Sequence, residues 1–144
     1  MHLSISLRIL GLLLALFSVT MLPPLAFAFV LDEGTVRAFS LSFAITLGSG
    51  LVLWLPIRRS RKELQTRDGF LITALIWTVL GLFGSLPFAL TDDLSISIVD
   101  SIFESISGLT TTGETVLTGL DEFPSSLLLY RLMLQWMGGI GIIV

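Results

Sequence analysis

"SGLTTTGETVLTGLDEF" (residues 107–123) lies between two apolar stretches, and its reading decides the fold. Three β-branched threonines favour extended backbone, and Gly113 permits a positive-φ turn that threonine resists. Just upstream, Ile96, Val99, Ile102, Phe103, Ile106 and Leu109 recur at helical spacing, with Ser97, Asp100, Ser101, Glu104 and Ser107 sharing much of the other face. Ser97-x-x-Asp100 resembles a capping box, with the acid in the first turn where the helix dipole favours it. The spacing predicts a short helix over 95–109. It is too short to cross a bilayer, and too acidic: Asp92, Asp93, Asp100, Glu104, Glu114, Asp121 and Glu122 fall in residues 92–122, which hold no Lys or Arg.

The surrounding chain sets the solvent. Only 13% of its 144 residues are charged, against about a quarter in soluble domains, and mean hydropathy is +0.95. Residues 9–31, 38–57 and 69–91 carry no charge, and each is long enough for a hydrocarbon core of about 30 Å at 1.5 Å per residue. A fourth apolar stretch, 123–144, is broken only by Arg131 and closes on GGIGIIV without a polar flank, so the chain is expected to be a fragment. Cysteine is absent, and the single histidine, His2, is a tail residue, so thiolate and zinc chemistry are excluded. The basic loop with Arg58, Arg59, Arg61, Lys62 and Arg67 is expected on the cytoplasmic side, first as an orientation determinant and second as a docking surface. The N-terminus is then inside, and residues 32–37 and 91–122 face outside. Arg8, the first apolar run and Ala26-Phe27-Ala28 also resemble a signal peptide, but the run exceeds the usual core length of about 7–15 residues. If the helix is retained, Pro23-Pro24 kinks it near its outer end.

Irregular backbone at membrane depth is tolerated only where it is buried in protein or lines water. An extended segment at the negative end of a short helix can aim carbonyls at a cation, with the helix dipole adding to the field. Acids at 114, 121 and 122 raise the local cation concentration at an outer mouth. The alternative is an amphipathic helix on the outer surface followed by an ordinary Thr/Gly loop.

"FESISGLTTTGETVL" (residues 103–117) followed by "RLMLQWMGGIGIIV" (residues 131–144) resembles the first repeat of TrkH-type potassium-uptake subunits of the Trk/Ktr/HKT superfamily. The resemblance covers essentially the whole chain. It implies an all-α integral membrane fold: two N-terminal transmembrane helices, then one potassium-channel-like membrane helix–pore helix–filter–membrane helix repeat, truncated. Residues 1–66 would be the two-helix domain with its cytoplasmic basic loop. Residues 67–144 would be the first pore repeat, with helix 69–91, pore helix 95–109, filter 110–114 and an incomplete second helix 124–144. Members carry four such repeats in one polypeptide. By resemblance, Thr110, Thr111, Thr112 and Gly113 offer mainly backbone carbonyls to K+, and Glu114, Asp121 and Glu122 act at the outer mouth. Members often have a small residue after the filter glycine; Glu114 departs from that, as an attractor of cations or the partner of a basic residue in another repeat. The family's intramembrane gating loop belongs to the third repeat.

Other residues have two readings each. Arg131 is an electrostatic partner near the filter, or snorkels to the outer interface beside Asp121 or Glu122, with a structural ion pair as the expected detail. Gly138, Gly139 and Gly141 are a gating hinge or, preferably, packing positions. Gly48, Gly50, Gly81 and Gly84 read as packing, and Trp54, Trp77 and Trp136 as interfacial or packing aromatics. Asp100 and Glu104, at i and i+4, have no nucleophile, metal ligand or phosphate loop beside them, so no enzyme is expected.

The function expected is potassium uptake across the bacterial inner membrane, passive or ion-coupled, through a carbonyl-lined filter of which this chain gives one quarter. K+ is the transported ion, and no other cofactor is expected. The resemblance implies a homodimer and a cytoplasmic nucleotide-binding regulatory subunit of TrkA type; nucleic acid is not an expected partner, and membrane lipid is. The alternatives are a small non-transporting membrane protein that binds or regulates a transporter, or four copies of this chain closing a pore.

Overall fold

A computed structural model describes residues 3–58, 66–92 and 94–143. Among the described residues, seven α-helices run in the order α1 (Leu3–Val19), α2 (Leu22–Val30), α3 (Val36–Trp54), α4 (Thr66–Gly84), α5 (Leu86–Ala89), α6 (Ile98–Leu109) and α7 (Ser125–Ile143), with 3-10 turns at Leu55–Ile57 and Leu120–Glu122. Three stretches are long and apolar enough to cross a membrane: Ser4–Val30, Val36–Ile57 and Gly69–Ala89. The basic-loop residues Arg59, Arg61 and Lys62, together with His2 and Asp93, lie outside the described residues.

Two of these spans break where proline dictates. The first is interrupted at Thr20–Met21, and α2 restarts with Pro23 in its first turn, where a missing N–H costs nothing. The kink expected at Pro23-Pro24 is therefore a full break just ahead of them. Likewise the helix expected over 69–91 is in two pieces, α4 and α5, because Pro87 cannot donate to a carbonyl one turn back. Next to that break, the carbonyl of Gly84 accepts from the Tyr130 hydroxyl at 2.8 Å.

α1 lies along α3, α4 packs on α1 and α6, and α7 packs on α2 and α6. The α1–α3 crossing is closest at Gly11 and Gly50, where a Cβ on Gly50 would stand 2.7 Å from the Ala15 backbone nitrogen. Gly84 is also a packing glycine, since an added Cβ would sit 2.4 Å from Ser105 Oγ, and a Cβ on Gly81 would press on the flexible Ile106 side chain. Gly48 differs from the packing expectation: nothing lies within 4 Å of it.

A core cluster joins Phe17, Met21 and Phe39 from the N-terminal helices to Phe88, Leu109, Leu127, Tyr130 and Leu134. Tyr130 is fully buried, with the Phe39 ring edge-on at 5.5 Å and the Phe88 ring tilted at 5.5 Å. Both N-terminal helices and the following helices thus bury side chains around one residue of α7.

The polarity of α6 is inverted relative to a helix on a water-soluble protein. Ser101, Glu104, Ser105 and Ser107 are buried, while Ile98 and Val99 are 71% and 74% exposed, and Phe103 and Ile106 are exposed as well. A helix with lipid or further protein around it has no reason to turn its apolar face inward. What it must hide from hydrocarbon is its polar face, which needs hydrogen-bond partners.

Candidate ion-coordinating loop

α6 starts and stops by side-chain and backbone capping. Ser97 is the N-cap, and its hydroxyl accepts from the Asp100 backbone N–H at 3.1 Å. At the other end the chain closes in a Schellman arrangement. Thr112 N–H donates to the Ser107 carbonyl and Thr111 N–H to the Gly108 carbonyl, both at 3.0 Å, and Gly113 N–H adds a second bond to Ser107 at 3.4 Å. The residue turned left-handed by this closure is Thr111, at φ 58°. Glycine normally fills that position, and a β-branched residue there is held at a cost of about 1–3 kcal/mol. The uniformly extended backbone expected for the three threonines is therefore absent: the cap takes precedence over β propensity at 111. Gly113 is left-handed too, at φ 73°, which glycine accommodates without strain.

This closure sorts the carbonyls. Ile106, Ser107 and Gly108 accept from backbone N–H groups of 110–113. The Glu114 carbonyl accepts from Ser107 Oγ at 2.6 Å, and the Gly113 carbonyl from Arg131 Nη2 at 3.2 Å. Among the described residues, no donor is directed at the carbonyls of Thr110, Thr111 or Thr112. Their side chains are tied back, the Thr110 hydroxyl to the Ile106 carbonyl at 2.8 Å and to the Thr112 hydroxyl at 2.9 Å. Three successive backbone oxygens are thus left unengaged beside the negative end of α6, which carries about half an elementary charge.

One face of α7 backs the loop, through Arg131, Gln135, Gly138 and Gly139 at helical spacing. A Cβ on Gly113 would stand 3.3 Å from Gln135 Nε2, one on Gly139 would stand 3.9 Å from Thr111 Cγ2, and one on Gly138 would stand 2.0 Å from the Leu109 carbonyl oxygen. Of the three glycines read together from the sequence, only Gly138 is at a position of backbone-to-backbone contact.

Of the two readings of Arg131, its contacts fit the one that places it beside the loop, through an ion pair and the Gly113 carbonyl. Arg131 does not reach Asp121 or Glu122; its Nε bonds Glu104 Oε2 at 2.9 Å. Glu104 is fully buried, and its Oε1 accepts from the Val116 N–H at 2.9 Å and from the Thr115 hydroxyl. One carboxylate therefore fastens α6, the chain leaving the loop and α7. Glu114, Asp121 and Glu122 are exposed, and Asp121 and Glu122 sit in a 3-10 turn entered through Gly119 at φ 69°.

The start of α7 is closed from a distance. Pro124, which precedes it, has no side-chain acceptor. Instead Glu33, in the turn between α2 and α3, accepts from the backbone N–H groups of Ser125 at 2.8 Å and Ser126 at 3.0 Å. Thr35 and Ser126 add a buried hydroxyl pair at 2.6 Å. Burial pushes the Glu33 carboxyl up, but hydrogen bonds from Ser126 and Ser125 outweigh it and hold the group below its ordinary value. A lowered folded pKa adds stability that is complete above the unfolded value of about 4.3 and is lost as pH falls through the folded value. Glu33→Gln is expected to cost about 1 kcal/mol at pH 7 and to remove this acid-dependent loss below about pH 5. Thermal unfolding of the detergent-solubilised protein at pH 7 and pH 4 checks both.

Residues 35–144 match the family model TrkH, described as a cation transport protein. The chain belongs to the TrkH family. It is 56% identical over 144 residues to the Trk system potassium uptake protein TrkH of Halomonas elongata, covering 100% of this chain and 30% of that one. It is 51% identical, over the same share of each chain, to the protein of that name from Escherichia coli. The crystal structure of the potassium transporter TrkH from Vibrio parahaemolyticus superposes with a TM-score of 0.94 at 53% identity, covering 99% of this chain and 31% of that chain. The chain thus spans about a third or less of the length of the TrkH proteins it matches. With three stretches suited to spanning, this TrkH-family chain is a membrane protein, and its all-helical architecture is that of the TrkH transporter.

Proposed function

We propose that this chain is the N-terminal part of a potassium-uptake protein of the bacterial inner membrane, and that its 110–113 loop supplies one quarter of a selectivity filter. The observation that carries the reading is the run of unengaged carbonyls at Thr110, Thr111 and Thr112, at the negative end of α6, beside Gly113 and Glu114 carbonyls that side-chain donors occupy. Carbonyl oxygens that no protein donor occupies can replace the hydration shell of a cation. The names of the similar proteins, potassium uptake proteins of a Trk system, supply the ion. Exposed Glu114, Asp121 and Glu122 would concentrate cations outside that loop. In this reading residues 1–66 form a two-helix membrane domain with its N-terminus cytoplasmic, residues 67–144 form the first of four repeats, and permeation is passive or ion-coupled. The assembly is a homodimer served by a cytoplasmic nucleotide-binding subunit of TrkA type.

Valine resists the φ of 73° that Gly113 adopts. Gly113→Val in the complete protein, expressed in bacteria lacking other potassium uptake, is expected to lower rubidium uptake at least about tenfold, the equivalent of about 1.4 kcal/mol, with membrane levels unchanged. Uptake that survives the substitution refutes the filter assignment and favours a non-transporting membrane protein.

A further inference from the structure

The Gly113 carbonyl is not in the same state as those of the three threonines. It accepts from Arg131 Nη2 at 3.2 Å, while Arg131 Nε is fixed by the buried Glu104 carboxylate at 2.9 Å. Glu104 is itself held by the Val116 N–H and the Thr115 hydroxyl, so the guanidinium has a defined place behind the loop. The planar fork is what allows this: one edge reaches the carboxylate while another nitrogen reaches the carbonyl. A carbonyl whose lone pair faces a cationic donor is a poor ligand for a second cation. Discrimination between potassium and sodium depends on the number, field and rigidity of the carbonyls presented.

We propose that Arg131, clamped by Glu104, is a specificity-determining positioning residue of the 110–113 loop: it withholds the Gly113 oxygen from the ion, so that Thr110, Thr111 and Thr112 supply the ligands and Gly113 supplies only its backbone conformation. The inference rests on the filter reading above. Arg131 touches no ion; it acts through Gly113.

The decisive variant is Arg131→Lys in the complete protein. A lysine keeps the charge beside Glu104, but its single ammonium cannot span the carboxylate and the Gly113 carbonyl as the fork does. The expected result is near-normal membrane level and thermal stability, with the ratio of rubidium to sodium uptake shifted about tenfold, because a released Gly113 carbonyl changes the number and field of the oxygens presented to the ion. The double variant Glu104→Gln/Arg131→Gln, which removes both charges together and leaves no buried carboxylate unpaired, is expected to shift the ratio in the same direction to a similar degree. A ratio within twofold of the parent in Arg131→Lys overturns the proposal, because a merely structural ion pair is served equally well by lysine. Failure of Arg131→Lys to accumulate in the membrane also overturns it, since Arg131 is then a folding post. Gly113→Val in the same assay separates the two levels. If it retains uptake, the filter reading fails; if it abolishes uptake while Arg131→Lys stays selective, only the present inference fails.

Discussion

Gly138→Ala is expected to destabilise the protein by about 3 kcal/mol, at the upper end for an overpacked site, and to abolish uptake by the complete protein. The added methyl would lie 2.0 Å from the Leu109 carbonyl oxygen, 2.6 Å from its carbon and 3.0 Å from its Cα. All three are backbone atoms at the last turn of α6, so no side-chain rotation relieves the clash. Either α7 retreats by more than an ångström or the end of α6 shifts, and both moves pull the loop off the face formed by Arg131, Gln135 and Gly139. Gly139→Ala and Gly141→Ala are the controls. Their added methyls would meet Thr111 Cγ2 and the Trp77 ring at 3.9 Å, an ordinary contact, and alanine is the better helix former by about 1 kcal/mol. Thermal unfolding in detergent and rubidium uptake read all three. A hinge spread over the three glycines predicts that Gly139→Ala and Gly141→Ala also slow uptake; a packing role predicts that only Gly138→Ala does.

Glu104→Ala is expected to cost a further class of stability, about 3–5 kcal/mol, the range for removing one partner of a buried ion pair. The carboxylate is fully buried and receives the Arg131 Nε, the Val116 N–H and the Thr115 hydroxyl. Its loss strands a guanidinium that is only 18% exposed in its side chain and leaves the 115–116 backbone without its anchor. Differential scanning of the purified protein gives the loss directly. Asp100→Ala is the comparison, an acid in the same helix at its outer first turn, where removal costs no more than about 1 kcal/mol. Equal losses for the two would mean that Glu104 works only as one more helix acid.

The spans and the short acidic helix were legible because they rest on local quantities: charge-free windows, a 3.6 period and a capping serine. The faces of α6 were legible too, but which face turns inward was not. The period reports segregation of polar from apolar residues, and its sign depends on whether the surroundings are water or hydrocarbon. Ser101, Glu104 and Ser107 read only as one shared face, and that face is the inner one. Arg131 in an apolar helix announced that it needed an acid. One reading, from sequence proximity, paired it with Asp121 or Glu122, whereas Glu104, 27 residues upstream, is the partner. No local pattern gives a pairing at that separation. The left-handed Thr111 was hidden for a different reason, because propensity argues for extended backbone and only the hydrogen bonds to Ser107 and Gly108 reverse it.

Glu33 closes a helix that begins 92 residues later, and this has a consequence for how such a chain can be rearranged. A segment carrying its own cap can be transplanted, duplicated or spliced onto another protein as a self-sufficient module. α7 is not such a segment: moved without residues 31–37, it arrives with two open amides behind a proline that offers no acceptor. Shuffling of such a repeat would have to carry the leading hairpin along or supply an acid near the new junction.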